Sequence, residues 1–339
     1  MNLVHPLGKS PVLNWLYAGM LMIFIMVAIG GITRLTESGL SITTWDPIMG
    51  AVPPLNSTDW TLLFQKYKES PEYLHKNMGM SLSDFKSIFW WEWIHRQWGR
   101  LIGLVFVVPF LVFWRKGYFK PGIRRHLLGI FLLGALQAFF GWYMVYSGLA
   151  NEPRVSHYRL ALHLSTAFAC IAWIWWLALS IRGRVVAYRP PELNSWLLAS
   201  TLLLIVQIAL GAFTAGKDAG HASNHWPMWS EHQFMPSVLG FEWTWLWTNE
   251  SWIQFVHRSF AYVLVFCVLF TAWKAHKLHW RHPGIGVMPW LILLQFLLGV
   301  LTVISGVNLG LALAHQLLAL LLLLALVYAL HPGKRGVAS

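Results

Sequence analysis

The sequence is short of charge. Asp, Glu, Lys and Arg make up 11% of its 339 residues, about half the share of an ordinary soluble domain, so a water-facing globule of this length is excluded. Acidic residues are the scarcer sign, 13 against 25 basic. Cysteine occurs only as Cys170 and Cys267, both inside apolar runs, which argues against a disulfide framework and for two small buried apolar side chains. No single basic patch exists either. The basic residues form short flanks beside apolar runs, so the net charge of +12 reads as a topology signal and not as a nucleic-acid surface.

What is present is hydrophobicity: 57% of the chain is apolar and the mean hydropathy is positive. Eight runs reach the length of about 20 residues that a bilayer crossing needs, near 13–33, 94–114, 126–147, 159–181, 195–216, 253–273, 288–306 and 309–330. The first run continues into Gly30-Gly31-Ile32-Thr33-Arg34 without a small-residue cleavage site, unlike a removable signal peptide. Positive charge sets the orientation. Arg115, Lys116, Lys120, Arg124 and Arg125, then Arg182, Arg184 and Arg189, then Lys274, Lys277 and Arg281, and finally Lys334 and Arg335 fall on one side. That side is expected to be cytoplasmic, with both termini there; of the acidic residues only Glu192 joins them.

Two outer loops are long, about 35–92 and 217–251. The first contains Pro53-Pro54 and an amphipathic stretch near 58–69; the second, with the start of the next run, holds Trp226, Trp229, Trp243, Trp245, Trp247 and Trp252. Tryptophan favours the headgroup boundary, so both loops are expected to lie over the outer surface. His221, His225 and His232 in the second loop have a spacing that suits copper or zinc, but interfacial histidines are the plainer reading.

The runs come as two copies of one pattern. Gly30-Gly31-Ile32-Thr33 in run 1 answers Gly211-Ala212-Phe213-Thr214 in run 5, and His95-Arg96 answers His257-Arg258. Gln137-x-x-x-Gly141, ending near Ser147-Gly148, answers Gln295-x-x-x-Gly299, ending at Ser305-Gly306, and His163 answers His315. Four runs per copy is an even number, so the copies run the same way across the membrane, related by an axis along its normal. The expected architecture is all-α, eight transmembrane helices in two tandem pseudo-symmetric four-helix bundles, residues 1–181 and 182–339. Glycines 30, 31, 141, 211 and 299 either let helices approach closely or make room for a flat ring.

An imidazole inside a membrane is costly unless something uses it. His95, His163, His257 and His315 all fall within the first two turns of inward-running spans, at one depth near the outer boundary. Two imidazoles facing each other across a bundle hold haem iron, so each half has a pair: His95 with His163, and His257 with His315. Arg96 and Arg258, directly after histidines, suit bidentate carboxylate recognition and hence haem propionates. The halves differ three residues before the first histidine, where one has Glu92 and the other Gln254. On a helix those residues share a face with the histidine. A carboxylate there can act as acid or base or steady a developing cation; it can also simply favour a helix start.

Through Glu92-x-x-His95-Arg96, His163, His257-Arg258 and His315 the chain resembles the haem A synthase family over almost its whole length. The resemblance implies an integral membrane oxidoreductase that converts a ring methyl of haem O to the formyl group of haem A, used in cytochrome oxidase. It implies that His95 and His163 flank substrate haem O, that His257 and His315 ligate a haem b cofactor, and that Glu92 is the essential carboxylate. It suggests haem O synthase and a quinone or other electron acceptor as partners, and it leaves room for a homo-oligomer. Some members carry a cysteine pair in the first outer loop; this chain has none, like the branch shared by proteobacteria and mitochondria. A bacterial inner membrane, with the haem sites toward the periplasm, is the expected location. The rival reading of the same four histidines is a two-haem b-type electron-transfer cytochrome, which gives no reason for Glu92 against Gln254. A duplicated transporter would place its polar residues at mid-membrane instead.

Overall fold

The computed structural model describes residues 10–43, 49–150, 155–183, 185–186 and 189–335. Arg184 and the terminal residues 1–9 and 336–339 lie outside them, as do the side chains of Ser147, Gly148, Lys334 and Arg335. The protein is all-α. Eight helices are long and apolar enough to cross a membrane: α1 (Pro11–Leu35), α4 (Leu82–Arg115), α5 (Pro121–Ala150), α6 (His157–Arg182), α7 (Glu192–Gly216), α9 (Glu250–Lys277), α10 (Pro283–Ile304) and α11 (Leu309–Leu330). Short helices α2 (Ser57–Lys68), α3 (Pro71–His75) and α8 (Trp245–Thr248) lie in the two long loops. The strand content among the described residues is a two-residue parallel pairing of Val185–Val186 with Lys334–Arg335.

Local chemistry sets several boundaries. The last span keeps the range read from its apolar run, because Asn308 caps its start through the Gly310 and Leu311 amides. Helix α4 does not. It begins at Leu82, well before the apolar run, because Ser81 and Asp84 form a reciprocal capping box. His95 therefore lies in the fourth turn of its helix and not in the first two, and Glu92 is not an N-terminal cap residue. The polar start of α4 stands above the membrane-length segment as a wall. Against it α2 packs an aromatic cluster of Trp60, Phe64, Tyr67, Phe85 and Phe89, with Trp60 and Phe89 ring centres 4.9 Å apart. The first outer loop is thus a small folded cap with its own core.

Taking α1, α4, α5 and α6 as the first group and α7, α9, α10 and α11 as the second, α1 packs on α4 and α6 and α5 on α6; α7 packs on α9 and α11, and α10 on α9 and α11; across the groups α6 packs on α7 and α11, and α1 on α11. The largest core cluster joins them: Val27, Phe168 and Ile171 from the first group are buried with Leu204, Leu264, Ile292 and Leu322 from the second. Polar ties cross the same boundary. The Gln316 amide donates to the Val27 carbonyl at 3.1 Å, the Trp175 indole to the Leu324 carbonyl at 3.1 Å, and Arg34 pairs with Asp218 at 2.7 Å and bonds the Ala215 carbonyl. Buried amide donors inside lipid must find acceptors, so these bonds fix register between the groups. Away from the long loops, Arg189 donates to the Ala329 and Leu330 carbonyls and so satisfies the open C-terminal end of α11. Cys170 and Cys267 are both buried and free.

Candidate functional site

Each of the four histidines sits edge-on against a glycine of the helix before it. A methyl group built on Gly30 (α1) would stand 3.2 Å from His95 Nε2 (α4); on Gly141 (α5), 2.9 Å from His163 Cε1 (α6). In the second group, Gly211 (α7) would meet His257 Cε1 (α9) at 3.2 Å, and Gly299 (α10) His315 Cε1 (α11) at 2.9 Å. Ordinary carbon contacts are about 3.5–4.0 Å, so a side chain at any of these glycines would press on the ring behind it, most at Gly141 and Gly299. At Gly30, Gly141, Gly211 and Gly299 the nearest neighbour is thus an imidazole of the facing helix. Gly31 alone serves packing, against Leu313 and Gln316 of α11.

The second group brings its two rings together, edge to face. His257 and His315 have ring centres 6.4 Å apart and planes at 81°. A metal-bound imidazole nitrogen lies about 2 Å from its metal, as for zinc, and about 1.1 Å from its ring centre, so two rings sharing one metal from opposite sides stand about 6 Å apart. The pair matches that spacing. His315 Nδ1 is 3.0 Å from the Gln295 backbone carbonyl and 3.2 Å from the Gln295 side-chain amide nitrogen; the shorter contact, to a group that can only accept, favours the proton on Nδ1 and the lone pair on Nε2. Such an outer hydrogen bond orients a ligating histidine. His257 Nδ1 and His163 Nδ1 are buried without a hydrogen bond. His95 and His163 lie within electrostatic reach of each other in the first group.

Beside three of the rings lies a glutamine one helical turn before the seating glycine. Gln137 Nε2 is 3.3 Å from His163 Nε2, Gln295 Nε2 is 3.3 Å from His315 Nε2, and Gln207 Nε2 donates to the His257 carbonyl at 3.0 Å. Gln207 was missed from sequence, although Gln207-x-x-x-Gly211 is a third copy of the pattern seen at 137 and 295. The fourth copy carries Met26 before Gly30.

Glu92 is 2% exposed and fully engaged. One oxygen accepts from Arg96 Nε at 3.0 Å and Nη2 at 2.6 Å; the other accepts from the Ser41 hydroxyl at 2.7 Å and the Ile42 amide at 2.8 Å. Gln254, 1% exposed, does the equivalent structural work in the second group, donating to the Gly220 and Ser223 carbonyls at 2.9 and 3.0 Å. Both residues latch the loop that follows the first helix of their group. The difference left between them is charge, and with it the partner of the arginine. Arg96 is committed to Glu92, whereas Arg258 donates to the Met228 carbonyl at 3.2 Å and leaves Nη1 buried without a partner. An orphaned guanidinium donor on the residue next to His257 is what an absent carboxylate would satisfy. His221, His225 and His232 are all exposed, and among the described residues no three metal-ligating side chains gather.

Residues 13–327 match the family model described as cytochrome oxidase assembly protein. The chain is 45% identical over 329 residues to a protein named Heme A synthase from Rhodospirillum centenum, covering 94% of this chain and 87% of that one. It is 41% identical over 338 residues to a Heme A synthase from Flavobacterium johnsoniae, covering 95% and 98%. The chain belongs to the haem A synthase family. A multi-pass membrane architecture with four glycine-seated histidines is the form this family takes here. The polar residues that sequence singled out, Glu92, Arg96 and Arg258, gather at the histidine end of the bundles, under the two long loops.

Proposed function

We propose that this member of the haem A synthase family is an oxidoreductase that converts the ring methyl of haem O to the formyl group of haem A. The two halves divide the work. In residues 1–181, His95 and His163 would hold the iron of substrate haem O; in residues 182–339, His257 and His315 would hold a resident haem b. What carries this reading is the duplicated set of histidines, each seated on its own glycine, in a chain related over nearly its full length to proteins named Heme A synthase. Arg258, with its spare buried donor, would take a propionate of that haem.

The bound haem b supplies a one-electron redox centre. The protein's own part is positional and electrostatic. The seating glycines hold the rings edge-on, and the Gln295 carbonyl favours the Nδ1-protonated tautomer of His315. Glu92, held by Ser41, Ile42 and Arg96, keeps a carboxylate at a fixed place beside the substrate site, where it steadies positive charge developing at the reacting carbon and takes its proton. Gln254 cannot do either, which is why the second half only stores its haem. The folded first loop covers the site and limits water. The basic flanks at the opposite end put that end in the cytoplasm, so both termini lie there and the haem sites face the periplasm of a bacterial inner membrane. A haem O synthase, a quinone-class electron acceptor and a second copy of the chain are the partners this reading admits.

The test is pigment analysis after coexpression with a source of haem O. Haem b together with haem A supports the assignment; two equivalents of haem b and no haem A would favour the electron-transfer cytochrome.

A further inference from the structure

The two halves differ on one side. In the second, α9 and α10 pack on each other and complete the bundle; in the first, α4 packs on α1 and α5 on α6, and among the described residues α4 and α5 scarcely meet. Their ring contacts lie away from the histidines, where Phe131 of α5 stands 6.1 Å from Phe106 and 6.4 Å from Phe110 of α4.

Aligning His95 with His257 and Gly141 with Gly299 gives the reason. Val265 and Ile292 take the places of Gly103 on α4 and Gly134 on α5. Ile292 is 1% exposed and Val265 packs against the same core, whereas a methyl group built on Gly103 or Gly134 would meet nothing within 4 Å. Tyr262 and Phe296 take the places of Arg100 and Ala138. Their ring centres are 5.2 Å apart across α9 and α10, and the Trp226 indole of the second outer loop donates to the Tyr262 hydroxyl at 3.2 Å. Ala138 is exposed and has no ring to close the first half in this way.

The opening has definite limits. Helix positions seven apart share a face, so Gly134 lies on the face of α5 that carries Gly141, the seat of His163, and Gly103 on the face of α4 that carries Phe110. The phenylalanines bound the opening at the end away from the histidines. At the histidine end the outer cap bridges it: α2 packs on α4 and α3, and α3, which carries the buried Glu72, touches α5. The opening is continuous with the first histidine pair. One turn from Gly134 is Gln137, whose Nε2 is 3.3 Å from His163 Nε2 and whose Oε1 is buried without a hydrogen bond.

We propose that the side between α4 and α5 is the seat of the substrate's isoprenoid chain. Haem O carries such a chain and haem b does not. With the ring at His95 and His163, the chain passes out between the two helices into lipid, and the product, which keeps the chain, leaves by the same side. This rests on the reading of the first half as the haem O site. Lipid is as apolar as the helix faces, so apolarity alone does not draw the chain in; what the opening offers is room. The second half is filled at the same place and takes a haem without a chain.

The test fills the opening with the second half's own residues. Gly134→Ile and Ala138→Phe are made separately in the full chain carrying its resident haem b, and the first site is titrated with haem O and with haem b, followed by the Soret band. The expected result is unchanged resident haem b, haem O binding weaker by on the order of 10-fold, haem A formation lowered with it, and haem b binding to the first site as in the parent. Ala138→Phe decides the matter alone if Gly134→Ile loses its resident haem. Haem O bound as tightly by both variants as by the parent would overturn the proposal while leaving the function intact. Equal weakening of haem O and haem b would overturn it too, by making the opening part of the ring site, as would a change of oligomeric state with haem O binding intact, by making this face a contact between copies. A parent chain that makes no haem A would overturn both proposal and function.

Discussion

Replacing Gly299 by alanine puts one methyl group into the tightest of the histidine seats in the second half. The added carbon would lie 2.9 Å from His315 Cε1. An ordinary carbon contact is about 3.5–4.0 Å, so the ring must retreat by about 0.6–1 Å. It has little freedom to do so, because Nδ1 is tied to the Gln295 carbonyl at 3.0 Å. Overpacking of this kind costs about 1–3 kcal/mol. Taken from ligation geometry, that weakens haem retention by about 5- to 150-fold. Gly211→Ala should act in the same direction but less, since its carbon would stand 3.2 Å from His257 Cε1. Gly286→Ala, on the same helix as Gly299 but facing open space, is the control. The assay is haem per chain after detergent washing, read from the Soret band and by pigment extraction. Gly299→Ala retaining haem as firmly as Gly286→Ala would refute the idea that these glycines seat ligating rings.

Other outcomes follow from the same geometry. Glu92→Gln should keep its haem and make little haem A, read by chromatography of extracted pigment; normal product would remove Glu92 from the chemistry. His257→Ala or His315→Ala should lose the resident haem b, and an unchanged Soret band in either would break the assignment. Glu72 also ties stability to pH. Its carboxyl is lifted from 4.5 to about 7 in the folded chain, so the folded state binds the proton more tightly than the unfolded one. Its stability contribution is fully present below pH 4.5 and falls by about 3 kcal/mol as pH rises to 7. Thermal unfolding of the detergent-solubilised parent should show this decline and Glu72→Gln should lack it; equal slopes would contradict the buried carboxylate.

The membrane spans were legible because a bilayer demands length and apolarity, and both are written in the composition of each run. The four histidines were legible because duplication repeats them. The start of α4 was not. Its polar first turns carry no hydropathy signal, and only the Ser81–Asp84 capping box marks them. The cap core of Trp60, Phe64, Tyr67, Phe85 and Phe89 was hidden for the same reason, since its aromatics are scattered over a loop. The contrast between Glu92 and Gln254 was visible as a difference of charge, but not that both latch a loop to a helix. That shared task is tertiary: Ser41 and Ile42 on one side, Gly220 and Ser223 on the other, are brought into reach only by folding. Gln207 was readable and overlooked, one helical turn before a glycine as in the two copies that were noticed. Glu72 looked like any loop carboxylate, because burial cannot be read from a short polar helix.

The most direct measurement is the identity and number of haems in the purified chain after coexpression with haem O synthase. One haem b per chain, removed by His315→Ala, together with haem O or A that is lost in His163→Ala, is the expected result. Two haem b per chain and no haem A under any supply of haem O would contradict the division of the two halves into a reacting site and a storing one.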